Sequence, residues 1–113
     1  MFGAAKTKDL TPQQLKAALD AGTVLLVDVR EADEFAVERI PGAVNMPLST
    51  FQPASVPDGE GRTLVLQCLG GKRSAMAVDQ CRRAGLAIDT HLDGGLAAWK
   101  AAGLPTMIGA ARA

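Results

Sequence analysis

Short apolar runs alternate with amphipathic segments along the chain, and this pattern predicts strands that alternate with helices. Two apolar runs, residues 24–29 and 64–67, predict buried strands. Two further segments, residues 44–46 and 88–92, predict additional strands. Helical spacing of apolar positions marks a second set of segments. They are residues 12–21, 31–37, 75–84 and 96–102. Such alternation over short connections predicts an α/β fold, with a mostly parallel central sheet of about five strands and helices on both faces.

Capping and breaking residues set the expected boundaries. The segment Thr11-Pro12-Gln13-Gln14 has the pattern of a capping box, which predicts that the first helix begins at Pro12. Gly22 is expected to end that helix. Residues 52–62 hold two prolines and two glycines and predict a surface loop, while residues 108–113 are expected to be a frayed tail.

Composition and charge narrow the function classes. The chain of 113 residues predicts a single domain over residues 1–113, with its core at about 10–105. Its net charge of zero argues against a nucleic-acid binder that relies on a broad basic surface. No apolar run approaches the roughly 20 residues that cross a bilayer, so no membrane partner is expected. Residues 1–6 lack the pattern of a secretory leader, and we therefore expect a soluble, cytoplasmic protein.

The strongest candidate for chemistry is Cys68. It opens the segment Cys68-Leu69-Gly70-Gly71-Lys72-Arg73-Ser74, here called the cysteine loop, which joins a predicted strand to a predicted helix. Loop N–H groups and the positive end of a helix both stabilise an anion. They should therefore lower the pKa of the thiol and favour the thiolate, which is the nucleophilic form.

The other residues of the cysteine loop, from Leu69 to Ser74, are expected to bind the substrate. Gly70 and Gly71 would let the backbone turn its N–H groups inward. Lys72 and Arg73 are expected to attract an anionic substrate. Ser74 is expected to cap the following helix or to hydrogen-bond the sulfur.

The second cysteine, Cys81, falls on the apolar stripe of the same predicted helix, which favours a buried core position without chemistry. Two cysteines outside a C-x-x-C pair are too few for a zinc ribbon, and neither a metal nor a cofactor is expected. A disulfide between Cys68 and Cys81 stays open as an alternative, because sequence separation does not exclude it. It would require Cα atoms within about 7 Å.

Four segments, in order and at sensible spacing, carry a resemblance to a known family. They are Asp28-Val29-Arg30 with Glu34-Phe35, the run Ile40-Pro41-Gly42-Ala43-Val44-Asn45-Met46-Pro47-Leu48, the cysteine loop, and Leu92 to Trp99 with Gly103-Leu104-Pro105. The chain resembles the single-domain rhodaneses, which are thiosulfate sulfurtransferase-like proteins, from about Leu10 to Pro105. The resemblance implies a three-layer rhodanese-like fold.

The resemblance also implies an activity. The Cys68 thiolate would take the outer sulfur of thiosulfate or another persulfide donor, and the Cys68 persulfide would pass it to cyanide, a thiol or a protein. The implied partners are a small anionic sulfur donor and, as a further option, a protein donor or acceptor of sulfur. Four residues separate Cys68 from Arg73, one fewer than in phosphatases that use a loop cysteine and arginine. This shorter loop argues against a phosphatase.

A non-catalytic function is the alternative: a rhodanese-type module that docks a partner protein or regulates it. Inactive members of the family typically lose the cysteine, so the presence of Cys68 with Arg73 favours an enzyme. Asp28 and Arg30 are expected either to touch the substrate or, more readily, to support the site as an ion pair or turn near Glu34.

Three further features have weaker assignments. His91 is the only histidine, and it is expected to lie on the strand face opposite Thr90, with a catalytic part as the minor alternative. Residues 93–95 predict a turn that packs close to the cysteine loop. The pair Glu38-Arg39 replaces the Gly-His that the family usually has, and we expect a local change of packing or polarity there.

Overall fold

Five strands form the central sheet, and four of them correspond to the predicted strand segments. A computed structural model describes residues 7–109; residues 1–6, on which the leader prediction rests, and residues 110–113 lie outside the described part. In chain order the elements are β1 (Lys8–Leu10), α1 (Pro12–Ala21), β2 (Val24–Asp28), α2 (Ala32–Val37), β3 (Glu38–Arg39), β4 (Val44–Asn45), β5 (Thr63–Gln67), α3 (Lys72–Arg83), β6 (Thr90–Leu92), α4 (Gly95–Ala101) and β7 (Met107–Ile108). The sheet order is β1-β6-β5-β2-β4, and each neighbouring pair is parallel.

Each face of the sheet carries its own hydrophobic core. Successive residues of a strand point to opposite faces, so Leu26 and Val27 of β2 enter different clusters. Val27 packs with Val78 of α3, and Leu26 packs with Leu15 of α1 and Trp99 of α4. Burying an aliphatic side chain of this size stabilises the fold by about 1.5–3 kcal/mol. The arrangement of helices on both faces of a parallel sheet confirms the predicted α/β architecture.

The predicted capping box begins α1. The Thr11 side chain accepts from the backbone N–H of Gln14 at 3.1 Å, and the Gln14 side chain accepts from the N–H of Thr11 at 2.9 Å. Gly22 ends the helix in the left-handed conformation, with φ of 71°. Among residues 7–109, no helix is both long enough and apolar enough to span a membrane.

One helix boundary and one strand differ from the sequence prediction. Helix α3 begins at Lys72, three residues before the predicted start. The prediction missed this turn because its side chains are polar and carry no apolar stripe. Strand β1 was not predicted, since its three residues include a single apolar side chain. It forms because its backbone pairs with β6, with Asp9 in register with His91.

A small second sheet joins the middle of the chain to its end. Strand β3, made of Glu38 and Arg39, pairs antiparallel with β7. The Glu38 carboxylate also accepts from Lys100 Nζ and Thr106 Oγ1, both at 2.7 Å. The prediction of a frayed tail is therefore wrong for Ile108, because a strand partner 70 positions earlier orders it. The unusual Glu38-Arg39 pair provides that partner.

Candidate active site

The cysteine loop follows β5 at the carboxyl edge of the sheet, which is where ligands of open α/β sheets bind. Gln67, the last residue of β5, lies in register with Asp28, the last residue of β2. Gln67 is fully buried and its Nε2 donates to the Cys68 carbonyl oxygen at 2.9 Å. Sequence analysis assigned Gln67 no role, although a glutamine that ends an apolar run was a signal for one.

Backbone N–H groups surround the Cys68 sulfur. The N–H of Gly71 donates to Sγ at 3.0 Å, and the N–H of Ser74 donates to it at 3.3 Å. Cys68 is 1% exposed. The sulfur thus lies beside the positive end of α3, a helix of 12 residues, with fixed donors aimed at it.

These donors change the acidity of the thiol. Burial raises the pKa of Cys68, but the hydrogen bonds from the Ser74 N–H and hydroxyl and from the Gly71 and Gly70 N–H groups outweigh burial, so the net pKa is lowered. Burial alone raises the pKa of Cys81, which lies in the core as predicted. Both cysteines are unbridged. The two thiols therefore differ in character, and Cys68 is the one favoured as a thiolate.

Two glycines make the loop geometry possible. Gly71 has φ of 107°, a left-handed conformation that turns its N–H toward the sulfur and begins α3. Gly95 lies so close to the loop that an added Cβ would be 2.5 Å from the carbonyl carbon of Leu69. That approach lets Leu96 N–H donate to the Cys68 carbonyl at 2.9 Å. The turn at residues 93–95 therefore packs on the cysteine loop, as predicted.

Arg73 does not face solvent as a free cation. Its guanidinium makes two hydrogen bonds to the Glu34 carboxylate, at 2.7 and 3.1 Å. This pairing lowers the pKa of Glu34 to about 2, with the Arg73 hydrogen bond as the main cause. Glu34 therefore offsets part of the Arg73 charge, and the attraction of an anion by Arg73 stays a prediction. The pair fixes α2 against the start of α3.

The outer rim of the cysteine loop is open. Leu69 is 46% exposed, and Gly70 and Lys72 are exposed as well. A cavity of about 380 Å³ lies beside Leu69 and reaches Val37 of α2 and Lys100 of α4. Lys72 is exposed to solvent, and the cations that line this cavity are Arg30 and Lys100.

Asp28 and Arg30 form the structural ion pair that sequence analysis favoured. Arg30 Nη2 lies 2.8 Å from the Asp28 carboxylate, and both residues are almost fully buried. Arg30 also donates to the Glu38 carbonyl oxygen at 2.6 Å, which ties β2 to the end of α2. The Asp28–Arg30 pair thereby supports helix α2, which carries Glu34. Asp28 is fully buried, whereas Arg30 lines the inner wall of the cavity beside Leu69.

His91 is connected to the cysteine loop through Ser74. Its Nδ1 is 2.8 Å from Ser74 Oγ, and its Nε2 is 2.9 Å from Asp9 Oδ1. Ser74 lies inside the first turn of α3, so it does not cap the helix; its Oγ lies 3.6 Å from Cys68 Sγ. These contacts bring His91 into the surroundings of Cys68 and favour the minor alternative, a catalytic part, which stays a prediction. Within residues 7–109, no three metal-ligating side chains cluster together.

Comparison with known proteins gives the family. Residues 11–102 match the family model of the rhodanese-like domain, and the chain belongs to that family. An uncharacterized protein of Synechocystis is 46% identical over 98 residues, which cover 87% of this chain and 55% of that protein. The probable adenylyltransferase/sulfurtransferase MoeZ of Mycobacterium tuberculosis is 38% identical over 110 residues, which cover 93% of this chain and 28% of that protein.

A solved structure supports the same fold. The crystal structure of thiosulfate sulfurtransferase from Pseudomonas aeruginosa superposes with a TM-score of 0.80 at 26% identity, covering 94% of this chain and 21% of that chain. The chain therefore spans about half or less of these longer relatives. What it shares with them is one rhodanese-like domain, in a family that includes sulfurtransferases.

Replacing Glu34 should change the acid stability of the protein. The folded-state pKa of about 2 lies below the ordinary value of 4.5, so the Glu34–Arg73 pair stabilises the fold above pH 4.5 and loses this effect as the pH falls toward 2. Glu34→Gln should lower the free energy of unfolding by about 0.5–1 kcal/mol at neutral pH, because solvent screens this partly exposed pair. The free energy of unfolding of the variant should also depend less on pH between 4.5 and about 2. Urea unfolding at a series of pH values measures both.

Glu60→Gln is the matched control, because the Glu60 side chain is 81% exposed and its oxygen lies 4.0 Å from Arg62. It should leave the profile almost unchanged. Equal effects of the two substitutions would contradict a special role for the Glu34 pair.

Replacing Gly95 by alanine should disrupt the cysteine loop. Its Cβ would meet the backbone of Cys68 and Leu69, which cannot move without breaking the loop. We expect a loss of more than about 4 kcal/mol in the free energy of unfolding, or no folded protein. Gly103→Ala is the control, since Gly103 has a similar left-handed φ of 76° but open space around it. It should cost about 1–2 kcal/mol, and equal losses would contradict the steric argument.

Proposed function

We propose that this protein is a sulfurtransferase that carries sulfane sulfur as a Cys68 persulfide. The donor is thiosulfate or another persulfide donor, and the acceptor is cyanide, a thiol or a protein. The observation that carries the proposal is the buried Cys68 sulfur, which accepts N–H groups from Gly71 and Ser74 beside the start of α3. The family and its sulfurtransferase members add support.

The first half-reaction uses the thiolate. Cys68 Sγ attacks the outer sulfur of thiosulfate, a new S–S bond forms, the S–S bond of thiosulfate breaks, and sulfite leaves with the electron pair. The same N–H donors that hold the thiolate would then hold the terminal sulfur of the persulfide. Lys72 is the exposed cation that attracts the dianionic donor and stabilises the departing sulfite.

The second half-reaction returns the enzyme to its starting state. An acceptor thiolate or cyanide attacks the outer persulfide sulfur, takes it, and leaves Cys68 as the thiolate. The rim at Leu69 and the cavity beside it are wide enough to admit a side chain from a protein acceptor. Because the sulfur is held covalently between the two steps, the kinetics should be ping-pong.

Arg73 has an indirect role in this proposal. Its charge is engaged by Glu34, and the pair holds the cysteine loop against α2. Asp28 and Arg30 support that segment in turn. We also propose that the protein works in a reducing compartment such as the cytoplasm, where an unbridged Cys68 stays available.

The alternative function is a docking or regulatory module that transfers nothing. The exposed apolar side chains beside the loop, Leu69 and Val37, would then contact a partner protein. This alternative gives no reason for the lowered pKa of Cys68, and we therefore rank it second.

Intact mass spectrometry tests the proposal. Reduced protein mixed with thiosulfate should gain the mass of one sulfur atom, and addition of cyanide should remove it with release of thiocyanate. Cys68→Ala should gain nothing. Cys81→Ala is the matched control, because it removes the other cysteine from the core and should leave the gain intact.

A folded wild-type protein with a titratable Cys68 thiol and no gain of sulfur would exclude thiosulfate as the donor. Protein persulfides would be tried next in the same assay. Failure with these donors too would leave the docking module.

A further inference from the structure

A continuous chain of hydrogen-bonding groups runs from the Cys68 sulfur to the protein surface. Ser74 Oγ lies 3.6 Å from Sγ, His91 Nδ1 lies 2.8 Å from that oxygen, and Asp9 Oδ1 lies 2.9 Å from His91 Nε2. Burial decreases outward along this path: Cys68 is 1% exposed, the His91 side chain 10% and the Asp9 side chain 57%. The path begins at the sulfur and ends at a carboxylate that reaches water.

The partners fix which groups carry protons. A carboxylate accepts only, so His91 Nε2–H donates to Asp9 and His91 Nδ1 presents its lone pair. The Ser74 hydroxyl has one proton and two acceptors within reach, namely His91 Nδ1 and the Gly71 carbonyl oxygen at 3.1 Å. The shorter contact is to His91. In the thiol form, the S–H group of Cys68 donates to Ser74 Oγ.

We infer that His91, positioned by Asp9, accepts the proton of Cys68 through the Ser74 hydroxyl. The inference deepens the proposed function, since it concerns how the same cysteine becomes nucleophilic. His91 and Asp9 act through Ser74 and do not touch the sulfur, so they are positioning residues for the reaction. Sequence separation hides this grouping, because Asp9 and His91 are 82 positions apart.

The proton transfer balances in a single step. The S–H bond of Cys68 breaks and its proton binds Ser74 Oγ, while the original hydroxyl proton of Ser74 binds His91 Nδ1. The products are a Cys68 thiolate, a neutral Ser74 hydroxyl that now donates to the sulfur, and a His91 imidazolium. The Asp9 carboxylate accepts from His91 Nε2–H and stabilises the positive charge of the imidazolium. The negative charge on Cys68 is stabilised in turn by the fixed N–H donors of the loop.

Burial gives a reason for such a relay. The N–H groups of Gly71 and Ser74 stabilise the thiolate but cannot receive its proton, because backbone amides carry no free basic site. With Cys68 at 1% exposure, solvent is a poor direct acceptor. The His91 imidazole is a base that a single hydroxyl links to the sulfur.

Other charges near His91 are few and mostly paired. From β1, the contact is Asp9 itself, and the neighbouring Lys8 pairs with Asp89 at 3.7 Å. From α3, Lys72 is exposed and Arg73 is engaged by Glu34. Beyond β6, Asp93 is exposed. Asp9 is therefore the charged side chain that the structure brings into hydrogen-bond contact with the imidazole.

The alkylation of Cys68 by iodoacetamide tests the relay without any sulfur donor. The rate at the Cys68 peptide is followed by mass spectrometry across a pH series, for wild type, His91→Gln and Asp9→Asn. Loss of the proton acceptor in His91→Gln should move the midpoint of the alkylation rate profile upward by about one pH unit. Below the midpoint, this shift corresponds to a rate that is about tenfold lower. Asp9→Asn should shift it in the same direction by less.

Asp89→Asn is the matched control, because it removes a half-exposed carboxylate two residues from His91 and should leave the profile in place. Asp9 is on the surface side of the path, so Asp9→Asn should fold even if the buried His91→Gln does not. Unshifted profiles for folded variants, or an equal shift in Asp89→Asn, would overturn the inference.

Nitrogen-15 NMR provides a second readout, since His91 is the only histidine in the chain. At high pH the ring should be protonated on Nε2 and not on Nδ1. A ring protonated on Nδ1 would contradict the relay.

The two tests separate the relay from the proposed function. A shifted alkylation profile in a protein that takes no sulfur from any donor would keep the relay and reject the sulfurtransferase. Normal gain of sulfur together with unshifted alkylation profiles in the variants would keep the sulfurtransferase and reject the relay.

Discussion

A buried sulfur surrounded by N–H donors is the constraint on which the carboxyl edge of this sheet depends. An anion that water cannot reach requires donors held in fixed positions. Those donors belong to Gly71 and Ser74, and their positions follow from the left-handed turn that begins α3. The turn is held in place because Gln67 and the first turn of α4 both donate to the Cys68 carbonyl oxygen.

Polar pairs form a second layer around that loop, and each connects it to a different part of the fold. Glu34 holds Arg73 to α2, and the Asp28–Arg30 pair joins β2 to the same segment. Because these pairs are partly or fully buried, removal of one partner would leave an uncompensated charge. The rhodanese-like domain thus combines two ordinary hydrophobic cores with a polar rim that orients one thiol.

Local patterns could be read from the sequence, and distant contacts could not. Features that depend on neighbours in the chain were predicted. They are strands β2 and β5, the cap of α1 and the stabilisation of the Cys68 thiolate by N–H groups of its loop. The Arg73–Glu34 pair joins residues 39 positions apart, and the His91–Asp9 contact joins residues 82 apart, so no periodicity indicates either. Strand β1 was missed for the same reason: its order comes from β6 and not from its own side chains.

Strand β1 also affects where the domain can be cut. The family model matches residues 11–102, which would leave out all of β1 and β7. A fragment trimmed to that match keeps Cys68 and every residue of its loop, yet it exposes the β6 edge and loses the carboxylate of Asp9. For this chain, the segment that defines the family is shorter than the segment that completes the surroundings of the thiol.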